Sequence, residues 1–131
     1  MRLPTSSTAA WLVASALAGV TANGAARAEI LDIRWAADER FAHRGTVAAG
    51  AFTELCGALP AGQNVRWQFE ATVALDFNVH YHVDKAVVYP SRLAAVQRAD
   101  GVLATKTAQD YCWMWTNPSA AAATLSVTLQ R

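Results

Sequence analysis

The segment Asp76-Phe-Asn-Val-His-Tyr-His-Val-Asp84 alternates polar and apolar side chains without a break. Alternation of period two marks an extended strand, because successive Cβ atoms leave the backbone on opposite faces. Phe77, Val79, Tyr81 and Val83 therefore share one face, and Asp76, Asn78, His80, His82 and Asp84 share the other. A strand divided in this way belongs to a half-buried antiparallel sheet, packed on a core on one side and open to water or a ligand on the other. Its polar side is where binding chemistry is expected.

The same period recurs along the chain. Val65, Trp67, Phe69 and Ala71 alternate with Arg66, Gln68, Glu70 and Thr72 and predict a second strand. A break at 72–75 separates it from the strand over 76–85, so the two are expected as antiparallel neighbours. Tyr111, Trp113 and Trp115 alternate with Cys112, Met114 and Thr116, and Leu125, Val127 and Leu129 with Ser126, Thr128 and Gln130. The Trp-rich face reads as core, since its period of two lets it pack against Trp67 and Phe69.

The remaining elements are weaker. Residues 29–44 read as an edge strand followed by a turn, with a short helix as the alternative, and 45–56 lead into a strand ending near Cys56. Val87-Val88-Tyr89 is a brief strand stopped by Pro90, which has no N–H to give a ladder. Leu93 and Val96, three apart, fit a helical turn or a loop over 91–99. Turns are expected at 57–64, at Asp100-Gly101 and at Asn117-Pro118-Ser119. About seven short strands with turn signals between them describe an all-β fold, a single antiparallel β-sandwich.

Residues 1–28 have the layout of a secretory signal peptide. Arg2 supplies the positive start, Ala9 to Val20 an apolar core too short to span a bilayer, and Ala26-Arg27-Ala28 a small-residue cleavage site. The β-sandwich domain is then 29–131, secreted or periplasmic, with no transmembrane anchor after cleavage. The 131 residues carry eleven Lys and Arg against ten Asp and Glu; removal of Arg2 and Arg27 tips the remainder slightly acidic. No polybasic stripe is present, which argues against nucleic acid as a partner. Cys56 and Cys112 are the only cysteines. In an oxidising compartment an even count favours a disulfide, worth about 4 kcal/mol for a loop of this length. The alternative is a pair of free thiolates serving a metal.

Three blocks carry a family resemblance. Val65-Arg-Trp-Gln-Phe69 resembles an aromatic-x-Phe strand, Leu75-Asp-Phe-Asn-Val79 the strand that follows it, and Tyr111 to Leu129 a closing hairpin with a Trp-rich strand and an Asn-containing turn. In that order they are similar to the GOLD domain, the β-sandwich of early-secretory cargo receptors and some lipid-transfer proteins. The resemblance implies a non-catalytic interaction module for a protein or lipid ligand and carries over no catalytic residue. The receptor type has a C-terminal coiled coil and anchor that this sequence lacks, so a stand-alone secreted sandwich is expected.

The residues themselves point to Asn78, His80, His82 and Asp84 as a ligand or partner face. His80 and His82, two apart on one strand face, stand about 7 Å apart and can share a metal ion. A third ligand would come from His43, Asp84, Asp76 or Glu54, and a softer set from Cys112 or Met114 if the cysteine is reduced. Imidazole with carboxylate suits zinc or copper(II), and thiolate or thioether shifts preference to copper(I). The competing reading has the histidines as hydrogen-bonding residues that tie loops to the sheet. No Ser nucleophile motif, phosphate loop or metalloprotease helix is present, so no catalytic residue is assigned. The leading expectation is a disulfide-stapled binding module without cofactor, the alternative a periplasmic copper or zinc protein using His80, His82 and His43.

Overall fold

A computed structural model describes residues 27–131, so the expected signal peptide lies outside the described residues except for Arg27 and Ala28. Seven strands follow in order: β1 (Glu29–Asp32), β2 (Arg40–Val47), β3 (Phe52–Leu59), β4 (Asn64–Val83), β5 (Ala86–Ala104), β6 (Gln109–Thr116) and β7 (Ala123–Gln130). The architecture is all-β, one sheet curled into a sandwich, with strand order β1-β3-β6-β4-β7-β2 and β5 on the second edge of β4. Every pairing is antiparallel except β1 with β3, which is parallel.

The curl comes from β4. A straight strand rises about 3.3 Å per residue, so Trp67 and Phe77 would stand about 33 Å apart. Their ring centroids are 4.7 Å apart instead. The strand turns a corner at 72–75, and its two halves face each other across the core. On one edge β4 pairs with β5 along most of its length. On the other it gives Arg66–Ala71 to β7 and Asp76–His80 to β6. One layer is therefore β2-β7-β4-β5 and the other β1-β3-β6-β4-β5, with the β4–β5 ribbon common to both.

Several sequence expectations change here. The strands expected over 65–72 and 76–85 are not neighbours in a ladder but the two arms of one strand. The antiparallel neighbour of both is β5, which runs through the positions read as a stop at Pro90, a helix or loop over 91–99, and a turn at Asp100-Gly101. Pro90 is tolerated because the register slips between Val79/Ser91 and Tyr81/Val88, leaving it in a bulge where no ladder donor is required. A second bulge holds Ala95 at a φ of 53°, and Asp76 Oδ1 fastens it by accepting the Ala95 N–H at 2.9 Å. The hairpin turn is Asp84-Lys85, with Asp84 at a φ of 53°, a conformation Asp tolerates better than most residues. The strand expected to end at Cys56 continues to Leu59, and the turn shrinks to 60–63.

Alternation is kept in both arms of β4. Val65, Trp67, Phe69, Leu75, Phe77 and Val79 are buried, as are Tyr111, Trp113 and Trp115 from β6 and Leu125, Val127 and Leu129 from β7. The aromatic centre is continuous, with Phe69 against Phe77 at 4.9 Å and Trp115 edge-on to Phe69 at 5.5 Å. The expected Asn117-Pro118-Ser119 turn is present, and Asn117 is fully buried. Its Nδ2 donates to the Val47 and Ala121 carbonyls, and its Oδ1 accepts from Ser119. One buried amide thus ties the loop after β6 to the end of β2.

Gly101 is a packing glycine rather than a turn glycine. It lies opposite Trp67 in the ladder, and a Cβ there would fall 2.5 Å from Trp67 Cζ2. The Gly101→Ala variant should lose about 1–3 kcal/mol of unfolding free energy in urea titration by overpacking. An unchanged midpoint would show that Trp67 does not cover that backbone.

Cys56 and Cys112 are bonded, and they are directly opposed in the β3–β6 ladder with a sequence separation of 56. Seven further cross-strand pairs flank them in that ladder on intact backbone, so the fold should survive their loss. Cys56→Ser with Cys112→Ser should cost up to about 4 kcal/mol, the unfolded-chain entropy of that loop, while leaving the near-UV circular dichroism of the buried tryptophans in place.

Candidate functional site

Three adjacent strands set the outer-face positions. The ladders place Cys56, Cys112 and His80 side by side across β3, β6 and β4, and in the next row Glu54, Met114, Asn78 and, on β5, Arg92. All of these alternate with the core-facing residues, so they stand on the opposite side of the sheet from Leu55, Trp113 and Phe77.

His80 is the centre of this face. It is only 5% exposed although it lies outside the core. Its Nδ1 is 2.7 Å from Asn78 Oδ1 and its Nε2 is 3.0 Å from Glu54 Oε1, so Glu54 reaches across β6 to meet it. With Asn78 in this orientation both ring nitrogens face acceptors, an arrangement that the imidazolium satisfies by donating twice. The neutral ring satisfies it by donating to Glu54 and accepting from the Asn78 amide after a flip. Burial is the largest influence on the ring and holds its pKa below the ordinary 6.5; Glu54 opposes this and the neighbouring His82 adds to it.

The other expected residues divide. Asn78 and His82 join His80 on this face, and the His82 ring lies edge-on to the His80 ring at 5.2 Å. Asp84 does not join them; it is the first residue of the hairpin turn and is exposed. Asp76 is engaged by the β5 bulge. His43 is on β2, at the far end of the strand order from β3, with Nε2 against Gly45. Of the four third-ligand candidates, Glu54 is the one the fold delivers to His80. Sequence reasoning missed Tyr89 and Arg92. Tyr89 packs beside His80 at 6.0 Å, and the Arg92 guanidinium sits 4.3 Å over the Tyr89 ring. A tyrosine and an arginine around the Pro90 bulge were the available signal, hidden by reading Pro90 as a strand end.

Among the described residues one group of metal-donor side chains converges here, Glu54, His80 and Cys112, with donor atoms within 4.8 Å of one another. Cys112 is oxidised, so the face as it stands offers the imidazole and the carboxylate. A groove of about 740 Å³ lies elsewhere, on the outer side of the β2-β7-β4-β5 layer, lined by residues including Arg44, Arg98, Gln68 and Thr128. The ribbon beyond the core exposes Val83, Val87, Val88, Tyr89 and Leu93, each more than a third accessible. Among the described residues no helix is long and apolar enough to cross a membrane.

No protein-family model matches the chain, and no curated protein sequence matches it. Solved structures do. The chain is similar to PliG of Aeromonas hydrophila, a periplasmic lysozyme inhibitor of g-type lysozyme, at 12% identity and a TM-score of 0.56, covering 79% of this chain and 96% of that one. It is similar to the pre-peptidase C-terminal domain of a Bacillus anthracis collagenase at 10% identity and a TM-score of 0.58, covering 79% and 95%. A PliG mutant from Escherichia coli matches at 8% identity and a TM-score of 0.54, covering 79% and 98%. At these identities the likeness is one of fold, a β-sandwich.

The lowered pKa of His80 has a consequence for stability. Below about pH 6.5 the unfolded chain binds more protons than the folded one, so stability is full above that pH and declines as the pH falls toward the folded value. Thermal melts from pH 8 to 5 should show this decline, and His80→Gln should flatten it. A melting temperature that rises on acidification would instead mean that Glu54 outweighs burial.

Proposed function

We propose that the chain is an exported, non-catalytic binding protein that engages a protein partner with the β4–β5 ribbon and the adjoining face around His80. The observation that carries this reading is the exposed Arg92–Tyr89 stack, seated on a buried and doubly hydrogen-bonded His80. Tyrosine and arginine are the residue types that dominate protein–protein hot spots, and they do so when a rigid support fixes them in advance. Val87, opposite His82 in the ladder, adds an accessible apolar side chain to the same face, while the accessible Val83 and Val88 belong to the other face of the ribbon.

Of the GOLD resemblance, the β-rich fold is the part that supports this reading. The PliG proteins supply the partner class to test first, since they are inhibitors of g-type lysozyme. A lipid ligand is less favoured, since the centre between the layers is filled by Trp113, Trp115, Phe77 and Leu125 and the open groove of about 620 Å³ beside Val88 and Leu93 also takes in the charged Asp100 and Lys106. A metal reading through His80, His82 and His43 is less favoured. The two neighbouring rings support it, yet His43 stands on a distant strand and does not reach them.

The test uses purified g-type lysozyme. The signal-free chain should bind it and suppress cell-wall lysis, and Tyr89→Ala and Arg92→Ala should each weaken binding by about 30-fold, the effect of losing a hot-spot side chain of about 2 kcal/mol. Undiminished lysis at large molar excess would remove this enzyme as the partner. Variants at Tyr89 and Arg92 that bind as well as wild type would move the interface off the ribbon.

A further inference from the structure

We propose that reduction of the Cys56–Cys112 disulfide turns the outer face into a zinc(II) site built from both cysteine sulfurs, His80 Nε2 and the Glu54 carboxylate. The proposal does not rest on the partner reading above, although both use the face around His80.

The donors are already gathered. Glu54, His80 and Cys112 present ligand atoms within 4.8 Å of one another, Cys56 Sγ is bonded to Cys112 Sγ, and His80 Nε2 is 3.0 Å from Glu54 Oε1. Tetrahedral zinc, with bonds of about 2.3 Å to sulfur and 2.0–2.2 Å to nitrogen or oxygen, sets its ligands about 3.4–3.8 Å apart. Side-chain rotations of about an ångström close that difference, because β3, β6 and β4 hold the four residues in adjacent ladder positions.

A second observation points the same way. A metal-bound histidine characteristically donates its other ring N–H to an oxygen acceptor, which fixes the tautomer and aims the ring. Asn78 Oδ1, 2.7 Å from His80 Nδ1, is placed to accept that N–H once Nε2 is given to a metal, and Nε2 faces Glu54. Burial adds to the case: His80 and Cys112 are 5% and 9% exposed, which limits competition from water. Two thiolates, an imidazole and a carboxylate suit zinc, whereas copper(I) avoids hard oxygen ligands.

The chemistry balances. A dithiol reductant gives two electrons and two protons to the disulfide and becomes a disulfide itself; zinc then displaces the two thiol protons to solvent. The oxidised face lacks the thiolates and does not take the metal. The pair thus works as a redox gate on a transition-metal site.

Cobalt(II) serves as the spectroscopic probe for zinc, added anaerobically to the full domain reduced with a phosphine. One cobalt per chain is expected, with thiolate-to-cobalt charge transfer, tetrahedral d–d bands and displacement by zinc, none of which the oxidised protein should show. His80→Ala, Glu54→Gln and Asn78→Ala should each weaken binding by about 10- to 100-fold, while His43→Ala leaves it unchanged. The proposal is overturned if the reduced chain loses its near-UV tryptophan signal, if oxidised protein binds cobalt equally well, or if His80→Ala keeps full affinity.

Discussion

The contact between Trp67 and Phe77 holds the molecule in its shape. Both rings belong to one strand, and they meet only because β4 turns back on itself at 72–75. Each aromatic pair of this kind contributes about 0.5–1.5 kcal/mol beyond its buried area, and Phe69 and Trp115 extend the cluster on both sides. Once the corner is set, β7 can pair only with the first arm of β4 and β6 only with the second. The two layers and the space between them follow from that division.

The face around His80 is built on the same arm. Phe77 and Val79 point into the core while Asn78 and His80 point out, so the polar network is supported from beneath by buried residues. Glu54 spans β6 to reach His80, and Tyr89 covers the ring from the β5 side. A histidine on a nominally solvent-facing side is therefore buried, and burial sets its proton affinity. Had the sheet been flat, Glu54 and Tyr89 would have left the ring in water.

Much of this was legible. The in-and-out assignment of 65–71, 76–83, 111–116 and 125–130 followed from alternation alone, and it holds because each of these stretches has one face on a core. The corner was located at 72–75 but misread as a break. Thr72-Val-Ala-Leu75 contains no Gly, Pro, Asn or Asp, which are what a reversal needs, so continuity was the better reading. Pro90 and Gly101 misled for the opposite reason. Each is a turn former in isolation, but a bulge accommodates the first and the Trp67 ring demands the second. Glu54 could be named only as one of four partners for the histidines, because its meeting with His80 depends on strand order, which local pattern does not contain.

Among the described residues, no other strand borders the outer margin of β5 along its 19 residues. Left regular, so long a row of free amides and carbonyls would template the stacking of further copies into fibres. The slips at Pro90 and Ala94–Ala95 cut it into short, differently twisted pieces, and Arg92 and Arg98 place charge along it. The irregularities that disguised this strand thereby guard against amyloid-like self-assembly, and straightening either one would trade colloidal solubility for a longer ladder.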